Sequence, residues 1–442
     1  MRMVKGSKFT VVMLLMTLVI GLLAGCGGEN KEKSSNSSDV SASSGSSENT
    51  ASKSPDSDKE IKLRMATQFA GSDPWVPAWT EAIKAFEEKY PNIKIVDEST
   101  PVNQEALRTK IKADAATGNL ADVMFYFNGS ETKMLVESGE IVSWEEELQK
   151  DPDWAALFNS SILEKVKYEG KQYSLPYIGF YEGLFWNKTL FDKHQLAAPT
   201  TYEAFMKAVE VFAQNDIIPF ATSLTTPYLQ EALILSLVGP EGQQQVYDPS
   251  WAPAINIIKE LNEKKAFPKD ALTLDDDKAQ ALFSGEKAAM MFNGSWTAVG
   301  LSKNPGIQIT PFPLVPGGKG ENMIVSGFGS GWYMKNNEDK AKYDASLLFI
   351  KFITSPEVAG KFAAIGGTYA VQTLDSGNTA ELLKAGNAMV AQAKDFVMPI
   401  DSYVSRESYT EFLKGISYVA HNKKSAEEVL DQAKKLSDRN KG

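Results

Sequence analysis

Along this chain the apolar positions fall into three regimes. Phe9 to Ala24 is apolar apart from Thr10, Thr17 and Gly21, behind a start whose only charges are Arg2, Lys5 and Lys8. A basic start, an apolar run and small residues before a break are the layout of a secretory leader. As a helix the run reaches only about 24 Å at ~1.5 Å per residue, against a hydrocarbon core of ~30 Å. The pattern therefore predicts a leader over residues 1–25 that is removed on export, and not a spanning anchor. From Gly27 to Glu60 the chain is Ser, Gly, Asn, Lys, Glu and Asp with almost no apolar residue. Such a segment cannot bury a core, and it predicts a flexible tether about 30 Å in root-mean-square span.

From Ile61 onward strand and helix periods alternate. Ile61–Thr67 alternates apolar and polar residues and predicts a first strand. Val76–Tyr90 carries Trp79, Ile83, Phe86 and Tyr90 at helical spacing, and Pro91 ends it. Ile93–Val96 predicts a second strand and Gln104–Ala116 a helix, with Gly118 just past its end. Ala121–Phe127 is a short, nearly all-apolar run, the mark of a buried parallel strand. The rhythm returns with a helix over Tyr202–Asn215 before a strand at Ile218–Thr222. It returns again with a helix over Asp276–Phe283 before a strand at Ala288–Phe292, and Ala426–Leu436 predicts a surface helix. Strand–helix alternation predicts an α/β fold. Residues 61–442 are too many for one ordinary core and suit two lobes.

Two apolar strands run into the same turn. Phe127-Asn128-Gly129-Ser130 and Phe292-Asn293-Gly294-Ser295 each precede a helix-like segment. Asn-Gly makes the turn and Ser can cap the next helix. Both turns fall where open α/β sheets bind ligands, outside the carboxyl ends of strands. Other motifs fail on their own chemistry. Gly327-Phe328-Gly329-Ser330-Gly331-Trp332 has Trp332 where a dinucleotide fingerprint needs glycine, and it leads into a strand. Asp275-Asp276-Asp277 lacks the spaced ligands of a calcium loop and reads as acids at a helix N-terminus.

Composition narrows the chemistry. The formal net charge is −10, more negative still once the leader's three cations are gone, which argues against nucleic acid as a partner. His194 and His421 are the only histidines, so neither a histidine metal site nor a histidine-based triad has much material. The chain has 22 Phe, 15 Tyr and 8 Trp. They gather at three Gly-rich junctions: Ser174–Lys188 (SLPYIGFYEGLFWNK), Met290–Trp296 (MMFNGSW) and Ser326–Met334 (SGFGSGWYM). Each aromatic alone is read most simply as core packing. Together, beside Gly and polar residues at strand ends, they suit a platform for a sugar. A pyranose has a C–H face that stacks on a ring and hydroxyls that need polar partners.

The only cysteine is Cys26. Leu23-Ala24-Gly25-Cys26 resembles the lipobox of bacterial lipoproteins, in which the peptidase cuts before the cysteine and its sulfur carries diacylglycerol. The other reading is a free thiol beside an ordinary cleavage site. In either case a mature chain without further cysteine has no disulfide.

The body from Ile61 onward resembles the extracellular solute-binding proteins of sugar ABC importers, the maltose-binding-like family 1. The marks are the lipobox; Thr67-Gln68-Phe69 before the Trp75–Tyr90 helix; Ala121-Asp122-Val123 running to Phe127-Asn128; Tyr173–Tyr177 running to Trp186-Asn187-Lys188; Gly285–Met290 running to Gly294-Ser295-Trp296; and Thr354-Ser355-Pro356-Glu357. The resemblance implies an α/β, two-lobe, periplasmic-binding-protein-like fold with a ligand cleft between lobes and several hinge crossings. It implies lobe one over 61–178 plus 315–362 and lobe two over 179–314 plus 363–442. Residues 1–25 would be the leader and 26–60 the lipidated cysteine and linker. It also implies closure around a sugar. By the motif match, ligand contacts fall at Gln68, Trp75, Asn128, Tyr177, Tyr181, Glu182, Trp296, Phe328 and Trp332. The two Asn-Gly-Ser turns would face each other from opposite lobes. No cofactor or metal is implied. The implied partners are a carbohydrate, the permease subunits and, through Cys26, the cell membrane, with the body a monomer on the outer side of a Gram-positive-type cell. Phe127-Asn128-Gly129 departs from relatives that carry Asp or Arg there, which leaves the sugar open. The aromatic Tyr177–Tyr181 segment favours an oligosaccharide.

A reading from another class is a tethered enzyme acting on polysaccharides. A glycosidase needs two carboxylates flanking the bond, about 5–10 Å apart. Glu182 is one candidate and Asp122 a weak second. A third reading keeps the solute-binding fold but gives it a non-sugar ligand.

Overall fold

The computed structural model describes residues 60–100, 104–374 and 380–439. The leader, Cys26 and the polar tether lie outside the described residues. All the described residues belong to one unit, Asp56–Gly442.

The described strands, in chain order, are β1 (Ile61–Ala66), β2 (Ile93–Asp97), β3 (Val123–Phe127), β4 (Leu175–Pro176), β5 (Ile178–Asn187), β6 (Ile218–Phe220), β7 (Ala288–Gly294), β8 (Ile307–Thr310), β9 (Met323–Gly327), β10 (Ser330–Met334), β11 (Thr368–Tyr369) and β12 (Asp395–Val397). They form two sheets. The first runs β2-β1-β3-β10-β4 and the second β12-β9-β5-β7-β6, with β8 and β11 also paired to β5. In the first sheet β1 is parallel to β2 and β3, as the strand–helix alternation predicts, and β10 is antiparallel to β3 and β4. The helices Val76–Lys89, Gln104–Thr117, Tyr202–Gln214 and Asp276–Ser284 start where their patterns predict and end within one residue of them. The terminal helix runs on to Arg439.

Each sheet has its own core. Trp79, Phe125, Tyr177, Trp332 and Phe349 pack together against the first sheet. Phe205, Phe212, Trp251, Ile258 and Phe412 pack against the second. Aromatic residues dominate because each buries a large apolar area with few rotatable bonds.

The chain crosses between the sheets at two adjacent places, with a third strand beside them. Leu175–Pro176 belongs to the first sheet and Phe180 onward to the second, so β4 runs into β5 across the seam. β9 pairs Gly327 with Phe180 in the second sheet, and β10, which starts just beyond it, pairs Ser330 with Phe127 in the first. β11 lies beside them, pairing Thr368 with Gly179. These pairings move the expected lobe boundaries. The crossing expected at 315 lies at Phe328–Gly329, because Val315 is buried in the second core and β9 is a second-sheet strand. The crossing expected at 363 lies later, because Tyr369 packs against the first core and Val371 is buried in it. Gly179 sits where these three segments touch. A Cβ there would lie 2.5 Å from Thr368 Oγ1, 2.7 Å from the Phe328 ring and 2.8 Å from the Gly327 carbonyl oxygen. Only glycine lets the three chains approach so closely.

Candidate functional site

Between the two sheets lies a cavity of about 910 Å³. Its first-lobe wall is built by the turn after β1 (Gln68, Ser72–Trp75), by Arg108 on helix Gln104–Thr117, and by Asn128, Ser130 and Glu131 at the end of β3. Its second-lobe wall is built by Glu182 on β5, Tyr228 and Glu231 on helix Tyr228–Gln244, Asp276 and Asp277, Trp296, and Asp401 with Arg406. Both ends of parallel strands and the starts of helices thus converge on it, the usual place for a ligand in an open α/β fold.

An aromatic trio forms one side. The Trp296 ring centroid lies 5.9 Å from that of Phe180 and 5.6 Å from that of Tyr228, tilted by 54° and 51°. All three are half-buried. Trp296 owes its position to Gly294: a Cβ on Gly294 would lie 2.1 Å from the indole ring. Trp75 also lines the cavity, with its indole N–H donating to the Phe362 carbonyl and to Tyr369 Oη, both at 3.2 Å. Those bonds hold its ring in the first lobe.

Gln68, Trp75, Asn128, Glu182 and Trp296 of the expected residues line the cavity. Tyr177, Tyr181, Phe328 and Trp332 do not. Tyr177 and Trp332 are fully buried in the first core, where the Tyr177 hydroxyl donates to the Ile353 carbonyl at 2.9 Å and Trp332 stacks on Trp79 at 6.0 Å. Tyr181 is fully buried with Phe185 and Leu383 on the other face of the second sheet. Phe328 packs over Gly179 in the crossing. The reason is strand period. Along β5 the even positions Ile178, Phe180 and Glu182 face the cavity and the odd position Tyr181 points to the opposite face. Most of the aromatic richness that argued for an oligosaccharide is therefore core. Asp122, the weak second acid, also lies elsewhere. It accepts from the Arg64 backbone N–H and from Asn337 in the first lobe.

The two Asn-Gly-Ser turns do different work. Asn128 lines the cavity, but its side chain ties the β3 end to the crossing, donating to the Phe328 carbonyl at 2.8 Å and accepting from Tyr333 Oη at 2.9 Å. Asn293 is buried behind the wall and donates to Asp276, which faces the cavity.

The wall is acidic. Glu182 and Glu231 are 4% and 1% exposed, and Oε2 of each has no hydrogen-bond partner. Glu231 Oε1 accepts from Tyr409 Oη at 2.5 Å and from the Ile400 backbone N–H at 3.3 Å. Burial, and secondarily Asp401, pushes the Glu231 carboxyl up to about 8. Burial, then the neighbouring Glu231, pushes Glu182 well above the usual carboxylate range. Burial likewise lifts Asp73 to about 7 and Asp276 to about 6. Desolvation disfavours the charged form of each. Arg108 and Arg406 are the only cations among the described lining residues. Arg108 stacks 3.8 Å over the Phe127 ring and donates to Glu131 at 3.0 Å, with Asp401 of the second lobe 3.9 Å away. Arg406 of the second lobe pairs with Glu105 of the first.

Arg108, Tyr228, Glu231, Asp401 and Arg406 were not among the sequence candidates. Glu231 alone leaves a legible trace, as the single charge in the apolar run Tyr228–Val238.

Two α/β lobes joined at adjacent crossings, with a solute-sized cavity between them, define a two-lobe ligand-binding protein. The chain belongs to the bacterial extracellular solute-binding proteins, whose family model matches residues 72–360. A multiple sugar-binding protein of Streptococcus mutans is 24% identical over 65% of this chain and 70% of its own length. A melibiose/raffinose/stachyose-binding protein of Bacillus subtilis is 23% identical over 48% of this chain and 54% of its own. Among solved structures, a chitin oligosaccharide binding protein superposes with a TM-score of 0.78 at 22% identity, over 87% of this chain and all of that one. A maltose/maltodextrin-binding domain from Bdellovibrio bacteriovorus bound to maltotriose gives 0.71 at 19% identity, over 86% and 99%. These likenesses establish the two-lobe fold. Among the described residues no helix is long and apolar enough to cross a membrane.

Proposed function

We propose that this protein is a carbohydrate receptor that closes around its sugar and delivers it to an ABC importer. The observation that carries this reading is the half-buried Phe180–Trp296–Tyr228 trio beside the buried acids Glu182 and Glu231, in a cavity whose first-lobe wall carries Gln68 and Asn128. Rings receive the apolar face of a pyranose, and carboxylates and amides receive its hydroxyls. Each hydroxyl left unpaired in such a site would cost about 1–3 kcal/mol, so rings alone would not suffice. The sugar-binding relatives support the same ligand class. The lipobox-like Leu23–Cys26 supports a lipid anchor on Cys26, with the polar tether holding the body clear of the membrane.

The test is a thermal-shift screen against mono- and oligosaccharides, with the sugar recovered and checked by chromatography. A ligand at ~100 times its Kd adds about 2.7 kcal/mol of stability, which reads as a shift of several degrees. A shift with intact sugar supports the receptor. Cleaved sugar would instead favour a tethered enzyme, and no shift with any sugar a non-carbohydrate ligand. Cys26→Ala should release the protein to the medium or leave it unprocessed. A mature variant that still partitions with detergent would rule out lipidation at Cys26.

A further inference from the structure

The number of acids in the cavity exceeds what a neutral sugar calls for. Its cations, Arg108 and Arg406, are already committed to Glu131, Asp401 and Glu105. No cation among the described lining residues is left for Glu182, Glu231, Asp73, Asp276 or Asp277. Glu182 and Glu231 are more than nine-tenths buried, line the cavity, and each keeps one oxygen without a donor. Among the described residues no three acidic, His or Cys side chains converge as metal ligands do. The complementary charge is thus better supplied by an organic cation than by a metal ion. The aromatic trio adds a second reason, because ring faces attract ammonium groups as well as C–H faces.

We propose that the cleft selects a saccharide carrying a free amine, whose ammonium is received by Glu182 and Glu231 beside the Trp296 ring, over the same saccharide with a hydroxyl at that position. This rests on the carbohydrate-receptor reading. An ammonium donates to a carboxylate more strongly than a hydroxyl does, and in a site shielded from water the difference is retained. Because burial holds Glu231 protonated up to about pH 8, an arriving ammonium must displace a proton from the pair. Amine binding therefore releases protons and strengthens as pH rises from about 5 to about 7, where the amine is still charged.

The experiment is calorimetric titration of the purified full chain with matched pairs: glucosamine and glucose, galactosamine and galactose, mannosamine and mannose, and β-1,4 oligomers of glucosamine and of glucose. At least one amine should bind about tenfold tighter than its hydroxyl partner. Its binding heat should vary with buffer ionisation enthalpy, the signature of proton release. Glu231→Gln and Glu182→Gln should each bring the ratio within a pair towards one. The wild-type pH profile tests the idea even if neither variant folds. Equal affinity within every pair that binds, or tighter binding of the hydroxyl form, would overturn the amine preference and leave the receptor reading standing; amine affinity independent of pH would overturn the displacement of a proton from the pair. Binding of no saccharide in the panel would overturn both.

Discussion

Arg406 of the second lobe forms an ion pair with Glu105 of the first, directly across the cleft. Arg108 and Asp401 approach to 3.9 Å in the reverse sense, with the cation on the first lobe. Ser72 and Asp277 add a third cross-cleft contact, at 3.2 Å. Together these link the two lobes across the cavity, and an opening of the cleft would break them.

Removing that link should weaken ligand retention modestly. The Arg406 and Glu105 side chains are 35% and 49% exposed, and such pairs contribute about 0.2–1 kcal/mol. Arg406→Ala should raise Kd by up to about fivefold, mainly through faster release, and the effect should shrink in high salt. Stopped-flow dissociation at two salt concentrations measures this. An unchanged off-rate would mean that the pair is not a closing contact.

Trp296 is half-buried and held over Gly294. Trp296→Ala should reduce sugar affinity more than tenfold while lowering Tm by only a few degrees, since the ring sits on the cleft wall and not inside a core. Calorimetry together with a melting curve separates the two effects. Full affinity in the variant would take the trio out of the site.

Glu231 should make ligand-free stability depend on pH. Its carboxyl is raised from 4.5 to about 8 by burial. Folding is unopposed by this group below its unfolded value, and stability is lost as pH rises towards 8, because the fold resists the charge that the unfolded chain accepts. The Tm of Glu231→Gln should therefore gain on wild type between pH 5 and pH 8. A constant difference across that range would refute the assignment.

At the hinge, Gly179→Ala should be costly. The added methyl meets Thr368 Oγ1, the Gly327 carbonyl and the Phe328 ring, all at under 3 Å. Overpacking of this kind costs about 1–3 kcal/mol. Both Tm and the ligand-induced change in radius of gyration by small-angle scattering should fall. A wild-type response would show that the crossings can part without penalty.

The linear pattern carried the alternation of strands and helices and the positions of the turns, because local periodicity reports which face of an element is buried. Gln68, Trp75, Asn128, Glu182 and Trp296 were legible through the family resemblance, and Asn128, Glu182 and Trp296 also through their place at strand ends or Gly-rich junctions. Tyr177, Tyr181 and Trp332 share that signature and yet fill the cores. Nothing local separates them from Phe180, since what differs is which layer packs against each face of the sheets. The seam at Phe328–Gly329 was likewise hidden, because β9 reads as a strand whichever sheet it joins. Arg108 stands far from Asp401 and Arg406 along the chain, and only folding brings their charges within reach. Sequence alone determined the elements, the acidic balance and the family. Tertiary structure decided which aromatics face the ligand and which acids lie buried together, because burial and electrostatic coupling depend on distances in space that spacing along the chain does not encode.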